Sequence, residues 1–326
     1  MTTPAASASS ATATGSGDGP RRLGYLGPAG TFTEEALFTQ ADLRELELVK
    51  IHSIPDVLAA TAAGEVDLGF VAIENAIEGS VNVTLDSLAF ETDLRIQREV
   101  IIGVHLNLMG LPGTRLEDIK RVVTIPIAMA QCRQYLARHL PGVDKEDANS
   151  TAGAARLVAE NADPSMAAIA PARSAEVYGL DIIGADVEDH PENATRFVVV
   201  GHDRIPAPTG HDKTSVVVYQ RADVPGSLLS ILQEFAARNI NLSKLESRTT
   251  KVALGDYCFL IDLEGHIDDE LVADCLRDIK SKHTDVKFLG SYPAAGAHGE
   301  TVRRDADVAW KRADAWIQEL RHQIDR

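Results

Sequence analysis

Leu23-Gly24-Tyr25-Leu26-Gly27-Pro28-Ala29-Gly30-Thr31-Phe32-Thr33-Glu34-Glu35-Ala36-Leu37 runs from an apolar stretch through a Gly/Pro loop into a segment of helical period. A strand, a tight loop and a helix start in so short a stretch point to an α/β layer. Thr31 and Glu34 have the spacing of a capping box, which puts the helix start beside Phe32. The alternation continues to Val200, with expected strands at Leu23–Leu26, Leu68–Ile73, Arg121–Thr124, Ala167–Ala170 and Phe197–Val200. Residues 21–201 therefore read as an α/β domain of mostly parallel strands.

Residues 202–212 are hydrophilic and hold Pro206, Pro208 and Gly210, the composition of an interdomain linker. A second domain, 213–293, follows. It reads as strand Thr214–Gln220, turn Asp223–Gly226, helix Ser227–Arg238, strands Leu242–Thr250 and Tyr257–Leu263, helix Asp268–Lys282 and strand Val286–Tyr292. That βαββαβ order predicts a ferredoxin-like four-stranded sheet with both helices on one face and edge strands that invite pairing with a second copy. In the extension 294–326, Ala309, Ala313, Trp316, Leu320 and Ile324 line one face of an amphipathic helix, which packs either on its own chain or on a partner subunit. Residues 1–20 are mostly Ala, Ser, Thr and Gly and read as a disordered tail. They have neither the basic start and apolar core of a signal peptide nor the arginines of a transit peptide.

Acidic residues outnumber basic ones 48 to 32, a formal charge of −16, which argues against a general nucleic-acid or anionic-membrane binder. An anionic ligand must then be captured by local donors. The three cysteines, Cys132, Cys258 and Cys275, show no metal-ligand spacing and read as reduced core thiols of a cytoplasmic protein. No apolar run approaches the roughly 20 residues that span a bilayer.

Helix starts leave backbone N–H groups unpaired and attract carboxylates. Three loops offer such starts with polar side chains: Gly27–Phe32 with Thr31, Glu74–Ser80 with Asn75, and Asn149–Gly153 with Ser150 and Thr151. Each hydroxyl either caps its helix or faces a ligand. In an open α/β sheet, loops at the carboxyl ends of strands line one crevice, so several caps can converge on one small anion. Thr195-Arg196 before the strand from Phe197 is a fourth candidate: the arginine suits bidentate pairing with a carboxylate, and the threonine a hydrogen bond. No P-loop, GxGxxG, Ser/His/Asp order or paired-carboxylate spacing stands out. The residues alone reach a small carboxylate-bearing ligand in an α/β cleft.

These stretches resemble the prephenate dehydratase family over nearly all of Leu23–Pro293. The family's opening motif is similar to Tyr25–Phe32, its Pro-Ile-Glu-Asn-Ser loop to Ala72-Ile73-Glu74-Asn75-Ala76 with Gly79, Val81 and Thr84-Leu85-Asp86, and its Ala-Gln-Cys helix to Ala130-Gln131-Cys132. Ser150-Thr151-Ala152 and Thr195-Arg196-Phe197 match two further signatures. The βαββαβ segment looks like an ACT domain, with Asp223–Leu228 and Asn241–Arg248 similar to its two regulatory motifs. Three stretches depart: Thr124-Ile125-Pro126-Ile127 replaces Ser-His-Pro-Gln, Ala76 replaces a serine, and Thr249 replaces a proline.

The resemblance implies a two-lobed, periplasmic-binding-protein-like catalytic domain, an ACT domain, and conversion of prephenate to phenylpyruvate without metal or cofactor. Thr195 and Arg196 would be catalytic; Thr31, Asn75, Gln131, Ser150, Thr151 and Phe197 would bind substrate. Phenylalanine would bind at Gly226, Ser227, Leu228, Asn241, Leu242, Glu246 and Ser247 between ACT domains of a homodimer or homotetramer. Arogenate dehydratase and a non-catalytic amino-acid-responsive anion sensor stand as the alternatives.

Overall fold

A computed structural model describes residues 21–220, 225–251, 256–282, 285–295, 312 and 315–323. The tail 1–20 and part of the turn Asp223–Gly226 lie outside these. So do Ala309, Ala313 and Ile324 of the expected C-terminal helix. Residues 315–322 are helical, with Trp316 and Leu320 exposed.

The first lobe contains β1 (Arg22–Leu26), β2 (Glu47–Ile51), β3 (Leu68–Asn75), β4 (Gly79–Ser80) and β5 (Arg95–Gly103). The chain then crosses to a second lobe of β6 (Asn107–Gly110), β7 (Arg121–Thr124), β8 (Asp144–Asp147), β9 (Met166–Ala170) and β10 (Asp181–Gly184). It returns through β11 (Ala194–Gly201). The sheets run β2-β1-β3-β11-β5, with β4 beside β3, and β10-β6-β9-β7-β8. Two sheets joined by two crossings make a two-lobed domain.

The strands are not mostly parallel. β1 pairs parallel with β2 and β3, and β7 with β8 and β9, whereas β11 enters antiparallel between β3 and β5, and β6 is antiparallel to both neighbours. The apolar run at Phe197–Val200 resembles a parallel strand because both its faces are covered. Phe197 and Val199 pack in the lobe's own core, Val198 and Val200 in a core shared with the C-terminal domain.

That domain comprises β12 (Asp212–Tyr219), the helix Ser227–Ala236, β13 (Leu242–Thr249), β14 (Tyr257–Glu264), the helix Glu270–Lys282 and β15 (Asp285–Pro293), in sheet order β13-β14-β12-β15. One face of the sheet buries Val216, Val218, Phe259 and Ile261 against Ile231, Phe235, Cys275 and Ile279 of the two helices. The other face sends Val217, Cys258, Leu260, Leu289 and Tyr292 into one core with Val71, Ile73, Ile96 and Val198 of the first lobe. At Gly290 (φ +144°) a side chain would overlap the Ile96 backbone, so glycine permits β15 to lie close against β5. β13 is the edge strand on the far side.

Candidate active site at the interlobe crossing

The two crossings hold each other: Val104 N–H donates to Asn193 O (2.8 Å) and Val187 N–H to Leu106 O (2.7 Å). Between the lobes beside them lies a cavity of about 170 Å³. Its polar lining is Asn75, Glu78, Gln131, Thr151, Asn193 and Thr195; Phe32, Val104, Leu106, Ile125, Ile127 and Ala128 form apolar walls.

Asn75 sits at the end of β3, opposite Thr195 on β11. Its Oδ1 accepts the N–H groups of Ile77 and Glu78, both at 2.9 Å, so its Nδ2 must face the other way. Nδ2 donates to Thr195 Oγ1 at 2.9 Å and to Ala194 O at 3.2 Å. The Thr195 oxygen thus accepts, and among the described residues nothing takes its proton. A hydroxyl held this way can donate to a ligand oxygen.

A second amide chain lies beside it. Gln131 Nε2 donates to Glu78 Oε1 and Asn193 Nδ2 to Gln131 Oε1, each at 3.4 Å. Thr151 opens the helix Thr151–Asn161; Ser150 caps it by accepting Gly153 N–H at 2.9 Å. The earlier N–H groups of this helix have no intrahelical partner, nor do those of Pro126–Gln131, whose first turn carries Ile127 and Ala128 into the cavity wall.

Four expected site residues therefore meet at one cavity: Asn75, Gln131, Thr151 and Thr195. Four others do not line it. Ser150 serves as a cap. Thr31 also caps, accepting Glu34 N–H at 3.3 Å, while the Glu34 carboxylate fills that helix start by accepting Gly30 N–H (2.5 Å) and the Tyr25 hydroxyl (3.0 Å). The loop is spent on holding the lobes together: Ser174 Oγ donates to Gly30 O (2.7 Å) and Tyr178 Oη to Ala29 O (2.9 Å). Phe197 is buried, stacked on Phe70 with centroids 5.3 Å apart.

Arg196 is the main correction. Successive strand residues face opposite sides, so beside Thr195 it turns away from the cavity toward the C-terminal domain. Its Nη1 meets Asp262 Oδ2 at 2.6 Å and Glu74 Oε2 at 3.2 Å, and Nη2 donates to the Tyr292 hydroxyl at 2.9 Å. Nε lies 2.7 Å from Glu99 Oε2, a charge contact off the N–H axis. Ser215 Oγ donates to Asp262 at 2.5 Å, and Lys213 Nζ to Glu99 at 2.9 Å. Burial pushes the Asp262 carboxyl up, but Arg196, Ser215 and Lys213 outweigh it and hold the pKa below the ordinary value. A guanidinium so committed is not available to a substrate carboxylate.

Among the described residues one group has ligand atoms close enough to hold a cation: His105, Asp186 and Glu188, within 4.8 Å of one another at the crossings. His105 Nδ1 already lies 3.2 Å from Glu188, whose other oxygen accepts Leu106 N–H. Cys132, Cys258 and Cys275 are buried and unpaired. No helix among the described residues is long and apolar enough to cross a membrane.

The family model described as prephenate dehydratase matches residues 23–205, and the ACT domain model matches 214–281. The chain belongs to the prephenate dehydratase family. The prephenate dehydratase of Mycolicibacterium gilvum is 40% identical over 313 residues, covering 92% of this chain and 98% of that protein. The Corynebacterium glutamicum protein of the same name is 37% identical over 307 residues, covering 92% and 96%. The crystal structure of prephenate dehydratase from Arthrobacter aurescens in complex with L-Phe superposes with a TM-score of 0.83 at 39% identity, covering 92% of this chain and 99% of that one. A structure described as a novel type of quorum-quenching acylase, GqqA, follows at TM-score 0.75 and 29% identity, covering 84% and 98%.

Against the prephenate dehydratase pattern, Ile125 and Ile127 make an apolar wall where the motif carries an imidazole and an amide. In the ACT domain, Gly226 (φ +87°) leaves the start of its helix without a side-chain cap. A register shift between Leu242 and Lys244 divides β13 between two faces. Leu242 packs toward the helices, but Lys244, Glu246 and Arg248 face the first lobe. Lys244 Nζ donates to Ser80 Oγ (2.7 Å), Arg248 Nη1 to Asn82 (2.7 Å), and Ser80 Oγ donates to Glu246. Glu246, expected at the effector site, is therefore bound to the catalytic lobe, a result of a bulge that sequence alternation cannot reveal.

Proposed function

We propose that this chain converts prephenate to phenylpyruvate. The observation that carries the reading is the Thr195 hydroxyl at the cavity wall, whose oxygen accepts from a pinned Asn75 and whose proton no described residue takes. In the reaction the bond to the ring carboxylate breaks and CO₂ leaves. Its electron pair enters the ring, and the C–O bond to the ring hydroxyl breaks with its pair on oxygen. That oxygen gains one proton through Thr195, which solvent reprotonates, and departs as water. Aromatisation supplies the driving force, so orientation and one proton suffice. The substrate carboxylates rest on the helix-start amides at Ile127, Ala128 and Thr151, not on Arg196.

Arogenate is the second reading, favoured by Glu78, the one charged residue lining the cavity, which suits an ammonium group. Turnover of the purified full chain with each substrate, followed as phenylpyruvate or phenylalanine formation, decides between them. No product from either would refute catalysis.

Phenylalanine binding between two ACT domains is the proposed control. Strand register supports it. Thr214, Leu263 and Leu242 lie at one end of the sheet, while Tyr219, Cys258 and Arg248 lie at the other, from which the Gly226 helix departs. Six residues of strand span about 20 Å, so Asn241–Leu242 and Gly226–Leu228 enclose one amino acid only when supplied by two copies. A cytoplasmic location fits three buried, unpaired thiols.

A further inference from the structure

Asn193 precedes the Thr-Arg-Phe signature and took no part in the expected site. It is 2% exposed, lines the cavity, and lies on a crossing segment that its backbone ties to Val104. Its Oδ1 is buried and meets no donor among the described residues. An orphaned buried acceptor is costly, so a ligand that supplies a donor there is strongly preferred to one that does not.

The direction of the neighbouring amides fixes which atom of Asn193 is free. Gln131 presents its NH₂ to a Glu78 carboxyl oxygen and its own oxygen to Asn193. Asn193 must answer with its own NH₂, which leaves Oδ1 without a donor in a residue of the cavity wall. Asn193, just before β11, and Thr195 on it both line the cavity. One offers an acceptor, the other a donor.

We infer that Asn193 Oδ1 accepts a hydrogen bond from the ring hydroxyl of the substrate, which makes Asn193 a substrate-contacting residue of the dehydration; this rests on the function proposed above. With its carboxylates ionised, prephenate has one hydrogen-bond donor, that hydroxyl. The departing oxygen keeps its own hydrogen on Asn193 and takes its second through Thr195. As the oxygen gains that proton its O–H becomes a stronger donor, so the contact tightens toward the transition state.

The test compares wild type with Asn193→Ala on three ligands: prephenate, arogenate, and phenylpyruvate, a competitive product without a ring hydroxyl. Losing one such hydrogen bond lowers kcat/KM for prephenate about 10- to 100-fold, with most of the fall in kcat. The phenylpyruvate inhibition constant stays within about twofold, a split that a merely structural role would not produce. If Asn193→Ala does not fold, Asn193→Ser carries the same comparison at smaller amplitude. A kcat/KM for prephenate within about twofold of wild type overturns the inference, as does a parallel loss of phenylpyruvate binding. An effect confined to arogenate would assign Oδ1 to that substrate's ammonium and overturn it too. Wild type inactive on both substrates would overturn the proposed function itself, before any variant is made.

Discussion

Replacing Arg196 with methionine separates two accounts of the Thr-Arg-Phe signature. Arg196 is 7% exposed and touches three carboxylates, Asp262, Glu99 and Glu74. Removing one partner of a buried ion pair costs about 3–5 kcal/mol, because the remaining charges stay buried without compensation. Here Lys213 still holds Glu99 and Ser215 still holds Asp262, which puts Arg196→Met toward the lower end. At roughly 2–4 °C per kcal/mol, the melting temperature falls on the order of 10 °C. Adding Asp262→Leu recovers part of the loss, and a double-mutant cycle by denaturant titration measures the coupling. The pH dependence has a definite sign. The folded pKa of Asp262 is depressed, so its contribution is full above the ordinary aspartate value of about 3.9 and fades as pH falls through the lower folded value. Without Arg196 its two lowering influences are gone and the carboxyl protonates at higher pH than in wild type, so the difference between wild type and variant shrinks in acid. An Arg196→Met protein that melts like wild type but shows a greatly raised KM would refute this reasoning and return Arg196 to the substrate.

Thr195→Ala should lower kcat by about 10²–10⁴ with little change in melting temperature, since its hydroxyl serves the cavity rather than the core; steady-state rates and thermal melts check this. Gly226→Asp should abolish calorimetric phenylalanine binding by setting a negative charge where the effector's carboxylate rests, and equal affinity in both proteins would place the effector site elsewhere. Burial pushes the thiols of Cys132 and Cys275 up to about 12 and that of Cys258 to about 11. A colorimetric thiol reagent at neutral pH should therefore find almost no reactive cysteine until denaturant unfolds the chain.

Elements with a strong local signature were legible in the sequence. The βαββαβ order and the strands from Leu23, Leu68 and Arg121 appear close to where hydrophobic pattern puts them. Strand direction was not legible, because the apolar run at Phe197–Val200 records burial on both faces and carries no arrow. Of the four expected residues that line the cavity, Asn75, Thr151 and Thr195 were legible as polar residues at strand ends and helix starts, and Gln131 only through the family resemblance. Thr31 and Ser150 showed the same chemistry but were consumed by their own helices, at distances of three residues that a capping pattern does announce. Arg196 was misplaced by treating a strand tripeptide as if all three side chains faced one way. Period-two alternation would have put Arg196 opposite Thr195. Asp262, 66 residues along the chain from Arg196, could not have been found by any local rule.

On β11, Thr195 looks into the cleft and Arg196 into the ACT domain, with one peptide bond between them. The hydroxyl proposed for catalysis and the anchor of the ACT domain thus sit back to back on a single strand. Any tilt of β11 produced from the ACT side would carry the Thr195 hydroxyl with it, because the two side chains share one strand. A substitution that resets the ACT domain's grip on this strand at Arg196 would therefore be expected to re-aim the hydroxyl proposed for catalysis as well.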